Sequence, residues 1–260
     1  MIAASAAAPG RTTAALLGAI AVILAAGLIA SMKMGNGAGG AAAKKSGKEI
    51  KKETKGGGIM SSAKIKLPQP DTKGKMTVEE AISKRRCVRD FKEGALTLGE
   101  LGQLLWAVQG CTGAGCLRAA PSAGATYPLE VFAVVGAGGV EGLKAGVYRY
   151  IPDSHEITLH LEGDARQQLS AAALGQDWVL LAPVSLVFTA DFSRTTDRYG
   201  QRGMRYVHME VGHAGENLFL QAGSLGLGTV AVGAFTDKSA AEALAIGKPL
   251  EVLYIMPVGR

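Results

Sequence analysis

The chain has 260 residues, which is room for one large domain or two small ones, and a formal net charge of +6 at pH 7. Eleven lysines lie between residues 33 and 75 without interleaved aromatic residues, so the positive charge is local and gives no support to nucleic-acid binding. Cys87, Cys111 and Cys116 are an odd number of cysteines with no CxxC pair, which argues against a disulfide scaffold. We predict that Cys111 and Cys116 are two separate thiols, with a redox pair as the alternative.

A hydrophobic run without any charge occupies residues 14–30. With its uncharged flanks the run has roughly 20 residues, enough to cross a bilayer as a helix. We therefore predict that residues 1–32 form a transmembrane anchor. A cleaved signal peptide with Arg11 as its basic region is the alternative, and in a third interpretation translation starts at Met32 or Met34.

Residues 33–75 are rich in glycine, alanine and lysine and offer little to bury, so we predict a flexible linker. The lysines act either as a solvated tether or as a polybasic segment that anionic lipid attracts. Because positive charge is retained on the cytoplasmic side of a membrane, an anchored protein would hold its folded domain in the cytoplasm. Export after signal cleavage is the alternative location.

A folded domain is predicted over residues 76–260. Its first helix begins after Thr77, and Glu80, three residues later, completes the pattern of a capping box. The second helix covers residues 96–108, where apolar side chains recur at helical spacing, and Gly110 ends it.

The later elements are indicated by alternating or continuous apolar residues and by turn residues. In chain order they are a buried strand at 130–135, a β-hairpin at 146–162, a helix at 164–174, a strand at 182–192, a long helix at 206–225 and a strand at 252–258. Mixed helices and strands with an antiparallel hairpin predict an α+β layered fold rather than a doubly wound sheet.

The densest polar signal lies at the end of the first helix, where Arg85, Arg86 and Arg89 fall within five residues. Guanidinium groups bind phosphate through two-point contacts, which favours an anion site. A basic helix end that interacts with its own dipole explains the same pattern. The residues alone do not choose between the two.

A run of small residues, APSAG at 120–124, precedes the strand predicted at 130–135. Small side chains let a flat ligand approach backbone amides closely, and Ser122 or Thr126 can offer a hydroxyl. Taken alone, the run is equally a turn.

The long helix carries four potential metal ligands, His208, Glu210, His213 and Glu216, the last three at a spacing of three residues. A carboxylate-bridged metal pair needs a second helix of this kind, and the sequence has none. We therefore predict a packed helix with satisfied polar residues and no metal.

Taken together and in this order, the segments resemble the nitroreductase superfamily. KRRCVRDF at 84–91 is similar to the Arg-Arg-Ser-x-Arg-x-Phe motif of that superfamily, and LGELGQLLWAVQG followed by LRAAPSAGATYPLEVFAVV is similar to its SagB-type branch. The agreement continues through GVYRY, APVSLVFTADF, RYGQRGMRYVHMEVGHAGENLFLQAGSLGLG, AVGAF and PVGR. The resemblance covers essentially residues 76–260.

This resemblance implies an FMN-binding α+β domain with a mainly antiparallel central sheet flanked by helices, usually a homodimer with the flavin at the subunit interface. It assigns Arg85, Arg86 and Arg89 to the phosphate and ribityl oxygens of FMN, with Cys87 in place of the usual serine. The other cofactor positions that it implies are the loop Pro121, Ser122, Ala123 and Gly124 against the flavin ring, the backbone of Val232 and Gly233, and Arg260 at the phosphate.

Arg198 and Tyr199 match the adjacent lysine–tyrosine pair that acts in proton transfer in the azoline dehydrogenases of the SagB-type branch. Arginine keeps its charge at working pH and is a poor general base, so this substitution argues against a direct copy of that chemistry. Tyr199 is a candidate proton donor. In the alternative interpretation, Tyr199 and Arg202 only fix a loop over the flavin.

The resemblance implies an oxidoreductase in which NADH or NADPH reduces FMN, and the flavin passes electrons to an organic acceptor such as a nitroaromatic, quinone or enone. A first alternative is oxidation of a peptide azoline to the aromatic azole. A second, from another class, is a membrane-tethered flavin-binding module without turnover. The expected partners are a small-molecule substrate or modified peptide, and a second copy of the chain.

Overall fold

The computed structural model of the chain describes residues 64–260. The helices are α1 (Val78–Lys84), α2 (Leu98–Gln109), α3 (Arg166–Ala172), α4 (Asp177–Leu181), α5 (Ser193–Tyr199), α6 (Arg202–Ser224) and α7 (Asp237–Ala243). The strands are β1 (Lys64–Lys66), β2 (Cys111–Gly113), β3 (Leu117–Arg118), β4 (Leu129–Val135), β5 (Gly146–Ile151), β6 (Glu156–Glu162), β7 (Val184–Asp191), β8 (Gly228–Thr229) and β9 (Leu250–Gly259). Two 3₁₀ turns lie at Ala114–Cys116 and Ala123–Ala125.

Seven of these strands form one sheet in the order β1-β6-β5-β4-β7-β9-β8, in which every neighbouring pair is antiparallel. β5 and β6 form the predicted hairpin, with Tyr150 opposite Ile157. β2 and β3 form a separate two-stranded ribbon. The prediction of an α+β fold with a mainly antiparallel central sheet is confirmed.

Helices cover both faces of the sheet, because successive side chains of a strand point to opposite sides. In β4, Val131 and Ala133 belong to one apolar core, which they share with α2 and α6. Phe132 and Val134 belong to a second core, which they share with α3, α4 and α7. The described domain therefore has three layers, with α2 and α6 on one side of the sheet and α3, α4 and α7 on the other.

The N-terminal cap of α1 forms, but without the predicted capping box. Thr77 Oγ1 accepts the N–H of Glu80 at 3.2 Å, as a cap should, but the Glu80 carboxylate pairs with Lys84 at 2.6 Å instead of returning to Thr77. A complete capping box forms at α2, where Thr97 Oγ1 accepts the N–H of Glu100 at 3.1 Å and Glu100 accepts the N–H of Thr97 at 2.8 Å.

The folded domain begins earlier than residue 76, so the predicted linker of residues 33–75 is too long. Lys64–Lys66 add an edge strand to β6, and Leu67 is only 2% exposed. The Pro68 carbonyl lies 2.9 Å from Nε2 of His155. Burial of Leu67 and pairing with β6 order this segment despite its lysines. Residues 33–63 lie outside the described residues.

The prediction of a membrane-anchored protein with a cytoplasmic domain is corrected. Within residues 64–260, no helix is both long and apolar enough to cross a bilayer. α6 has 23 residues, but Arg202, Arg205, Glu210 and Glu216 interrupt it with charge. The predicted anchor at residues 1–32 lies outside the described part of the chain.

Cys111 and Cys116 form a disulfide that closes the β2–β3 ribbon, so the prediction of two separate thiols is wrong. The turn between them, in which Gly115 has φ 67°, brings their Cα atoms to 4.5 Å, within the range that a disulfide bridges. Cys87 is exposed and free.

Candidate functional site

The segment that carries the three arginines runs along the sheet edge beside β8. Cys87 forms a parallel bridge with Thr229, and the N–H of Val88 donates to the Thr229 carbonyl at 2.9 Å. Farther along, the N–H of Lys92 donates to the carbonyl of Arg260 at 2.7 Å. The structure thus places residues 85–92 next to the C-terminal residue.

The guanidinium groups of this segment have different neighbours. Arg85 stacks on the ring of Phe219 and Arg89 on the ring of Trp178, each with 5.3 Å between the guanidinium carbon and the ring centroid. Nη1 of Arg86 donates to two main-chain carbonyls of its own turn at 3.1 and 2.7 Å. Because a guanidinium has five N–H groups, exposed Arg86 and Arg89 retain donors for an anion.

Arg260 is already ion-paired. Its Nη2 donates to both carboxylate oxygens of Glu100 at 3.0 and 2.8 Å, and its Nε donates to the Ala95 carbonyl at 3.2 Å. Since Glu100 also completes the capping box of α2, the C-terminal residue is tied to the first turn of that helix. Only Nη1 of Arg260 is left for a further contact.

Val232 and Gly233 follow β8 and differ in exposure. Val232 is buried and exchanges backbone hydrogen bonds with Ile255, at 2.9 and 3.1 Å. Gly233 is exposed and lines a cavity of about 680 Å³, together with Phe192 and His208. The backbone of Gly233 is therefore open to a ligand.

The loop Pro121–Gly124 meets α5, which the sequence did not predict as a separate helix. Nη1 of Arg198 donates to the Gly124 carbonyl at 3.1 Å. Gly124 has φ 61°, and a Cβ there would lie 2.5 Å from the Tyr199 hydroxyl and 2.8 Å from Nη1 of Arg198. The structure thus brings the two predicted catalytic residues directly onto the predicted loop.

Neighbouring aromatic rings hold Tyr199 and Arg198 in place. The ring of Tyr199 packs edge-on against Tyr206 of α6, with 5.2 Å between centroids. The Arg198 guanidinium lies 5.4 Å from the centroid of the Tyr199 ring. Both residues are thereby fixed relative to α6.

Glu210 lies beside the small-residue loop, and the sequence indicates it only as a potential metal ligand. Of the four polar residues of α6 considered there, Glu210 is 2% exposed and the other three are exposed. Burial raises the pKa of Glu210 to about 7, although Ser122, Gln109 and the Arg118 charge act to lower it. An acid at helical spacing among Val207, Val211 and Ala214 was the available signal.

Two groups of predicted positions, the arginine segment at the sheet edge and the small-residue loop, both approach α6. Phe219 of α6 contacts Arg85 of the edge group, and Glu210 of the same helix faces Ser122 of the loop group. Nine residues separate them, or roughly 13 Å along the helix axis. Guanidinium donors suit a phosphate, while the open backbone of Gly233 and the small residues of the loop suit a flat ring. This donor set fits FMN.

Comparisons with known proteins point to one family. The model of the family described as Nitroreductase matches residues 82–260. A Methanocaldococcus jannaschii protein, assigned by its name to the nitroreductases, is 45% identical over 196 residues, which are 75% of this chain and 96% of the relative.

Two solved structures extend this similarity. A Ralstonia eutropha protein, also described as a nitroreductase, is 30% identical with a TM-score of 0.66, over 76% of this chain and 89% of the other. A chain of the E. coli microcin synthetase McbBCD complex with truncated pro-MccB17 bound is 25% identical with a TM-score of 0.59, over 75% of this chain and 77% of the other.

Proposed function

The chain belongs to the nitroreductase family, with SagB-type proteins among its relatives, and we propose that it is an FMN-dependent oxidoreductase. NADH or NADPH supplies the electrons, and the acceptor is an organic molecule of the nitroaromatic, quinone or enone type. The observation that carries the proposal is the meeting of Arg198 and Tyr199 of α5 with the small-residue loop. Tyr199 packs against Tyr206 of α6, the helix that also contacts the arginine segment.

In this proposal the arginine segment holds the phosphate end of FMN. Arg85, Arg86 and Arg89 offer guanidinium donors, and Nη1 of Arg260 adds one from the C-terminus. Cys87, which stands where the family has serine, contributes a weaker donor but keeps its backbone bridge to Thr229.

Pro121, Ser122, Ala123 and Gly124 together with the backbone of Val232 and Gly233 would lie against the ring. When bound, FMN supplies the two-electron chemistry, while the protein supplies binding, orientation and electrostatics.

Arg198 and Tyr199 have separate roles in the proposed reaction. Arg198 holds the loop through the Gly124 carbonyl and, because it stays charged, does not take up a proton. The Tyr199 hydroxyl lies beside the same loop and can donate a proton to a reacting molecule.

We also propose that the working form is a homodimer with FMN between the subunits. Support comes from large apolar side chains that are exposed on α1 and α6, namely Val78 at 65%, Ile82 at 58%, Met204 at 38% and Met209 at 51%. A second copy of the chain would cover these side chains.

Oxidation of a peptide azoline to an azole is the second candidate. The similarity to the McbBCD complex, which was solved with truncated pro-MccB17 bound, favours this candidate. The arginine at position 198 argues against it, since the proton-transfer lysine of that branch is missing.

The decisive experiment is an absorbance spectrum of the purified full-length chain, recorded before and after anaerobic addition of NADH or NADPH. Flavin bands that bleach, followed by turnover of a nitroaromatic or quinone, are expected. A flavin that binds but resists nicotinamides would favour azoline oxidation or a module without turnover. A chain that cannot be loaded with FMN would contradict the proposal.

Two variants distinguish the loss of phosphate contacts from a general loss of positive charge. Arg85→Ala combined with Arg89→Ala should weaken FMN binding by about a hundredfold or more, because two charge-assisted contacts of about 1.5 to 3 kcal/mol each are removed. Arg149→Ala removes an arginine of β5 that pairs with Glu130 at 2.9 Å and is not among the proposed FMN contacts. Equal loss in both variants would show that the arginine segment has no special role.

A further inference from the structure

Glu210 is a buried acidic side chain that has no role in the proposed function. The side chain is 2% exposed, and its Oε1 atom has no hydrogen-bond partner. Nε2 of Gln109, also in a residue that is 2% exposed, is likewise without a partner. Buried polar atoms are nearly always paired, so two unpaired atoms in one place require an explanation.

Three elements present polar side chains to Glu210. These are Gln109 at the end of α2, Arg118 of β3 and Ser122 of the loop, of which only Arg118 is charged. Nη1 and Nη2 of Arg118 donate to the Gln109 carbonyl and to Asp153, both at 3.2 Å, while its buried Nε has no partner. Ser122 is therefore the neighbour of Glu210 with a freely rotating hydrogen.

The Ser122 hydroxyl has one hydrogen and two lone pairs. One lone pair accepts the N–H of Tyr127 at 3.0 Å. The hydroxyl's hydrogen and its second lone pair remain available, one for Glu210 and the other for a ligand. An ionised Glu210 can only accept hydrogen bonds, so the Ser122 hydroxyl donates to it. A protonated Glu210 can instead donate to the Ser122 oxygen, and the Ser122 hydroxyl is then free to donate to the ligand.

We propose that Glu210 is a positioning residue whose proton sets the direction of the Ser122 hydroxyl. The loop then offers a ligand a donor when Glu210 is protonated and an acceptor when Glu210 is ionised. No electrons move in this step: one proton passes between Glu210 and solvent, and one O–H bond rotates.

The consequence for catalysis rests on the proposed function. A donor aimed at a flavin ring stabilises the negative charge that reduction adds to it, whereas an acceptor does not. Because burial raises the pKa of Glu210 to about 7, both states are populated near neutral pH.

The first test needs no flavin. The full-length chain is labelled with ¹³C at the glutamate carboxyl carbons, the Glu210 signal is assigned with Glu210→Gln, and the carboxyl is titrated by NMR. Ser122→Ala should shift the Glu210 pKa further upward, because the carboxylate loses a donor. Thr126→Val is the matched control, since the Thr126 hydroxyl in the same turn bonds to Ala123 and Thr195 instead. An unshifted titration in Ser122→Ala would overturn the proposal.

The second test measures the midpoint potential of bound FMN against pH. The wild-type chain should show an added break at the pH where Glu210 titrates, and both Glu210→Gln and Ser122→Ala should lack that break. Identical profiles in all three proteins would overturn the link between the carboxyl and the flavin. A chain that binds no FMN would contradict the proposed function. The carboxyl titration would still decide whether Glu210 and the Ser122 hydroxyl interact.

Discussion

Glu210 ionises on the apolar face of α6, where its carboxylate loses the water that would solvate it. The periodic apolar positions around Glu210 could be recognised in the sequence, but its neighbours could not. Gln109, Arg118 and Ser122 reach Glu210 from other elements, and no local pattern indicates such long-range contacts. The contact of Arg198 with Gly124 is hidden for the same reason, because 74 residues separate the two.

Replacement of Glu210 by glutamine should alter how stability depends on pH. The folded-state pKa is about 7, above the ordinary value of 4.5, so the contribution of Glu210 is full below pH 4.5 and is lost as the pH rises to about 7. Over that window the wild-type free energy of unfolding should fall relative to Glu210→Gln, by up to about 3 kcal/mol. Urea denaturation at several pH values measures the difference.

The matched control for this prediction is Glu216→Gln. Glu216 lies on the same helix but is exposed, so its replacement should leave the pH profile of stability parallel to that of the wild type. A Glu210→Gln profile that also runs parallel to the wild type would show that Glu210 ionises at its ordinary pKa in the folded chain.

Position 124 requires glycine for two reasons, its left-handed backbone conformation and the close neighbouring side chains. Gly124→Ala should be destabilised by about 1–2 kcal/mol from the left-handed backbone alone, and further by the clash with Tyr199 and Arg198. Gly138→Ala separates the two effects, since Gly138 has φ 68° and no atom within 4 Å of its would-be Cβ. In thermal denaturation, Gly124→Ala should have a clearly lower melting temperature than Gly138→Ala. Equal decreases in melting temperature would mean that Arg198 and Tyr199 do not hold the loop.

At the scale of elements, the strongly periodic segments were predicted and the short ones were missed. The strand predicted at 130–135 is observed at Leu129–Val135. The long helix predicted from 206 begins at Arg202, because its first turn, with two arginines and a glycine, gives little apolar signal. The edge strand Lys64–Lys66 was missed because it is very short, two of its three residues are lysines, and it depends on the distant β6 for pairing.

The β2–β3 ribbon gives a direct test of its cross-link. With Cys111 and Cys116 bridged, the unfolded but unreduced protein should react with one equivalent of a thiol reagent, at Cys87, and the reduced protein with three. Reduction should also lower the free energy of unfolding by about 2 kcal/mol, as expected for a very short closed loop. Three reactive thiols before reduction would contradict the disulfide.

For the whole molecule, the order of motifs along the chain was enough to predict the fold and the family. The same motifs did not predict how their side chains are arranged. Arg85 stacks on Phe219, Arg89 stacks on Trp178 and Arg260 pairs with Glu100. These partners are fixed by packing between distant elements, so spacing along the chain could name the arginines without placing their guanidiniums.

The start of the folded domain also depends on such packing, and Leu67 tests it. In the full-length chain, Leu67→Ala should lower the free energy of unfolding by about 2–5 kcal/mol, because it removes a buried side chain that the first apolar core surrounds. Leu117→Ala, at a position that is 55% exposed, should change stability by less than about 0.5 kcal/mol. If both variants unfold at the same denaturant concentration as the wild type, the segment before residue 76 acts as the linker that its composition indicates.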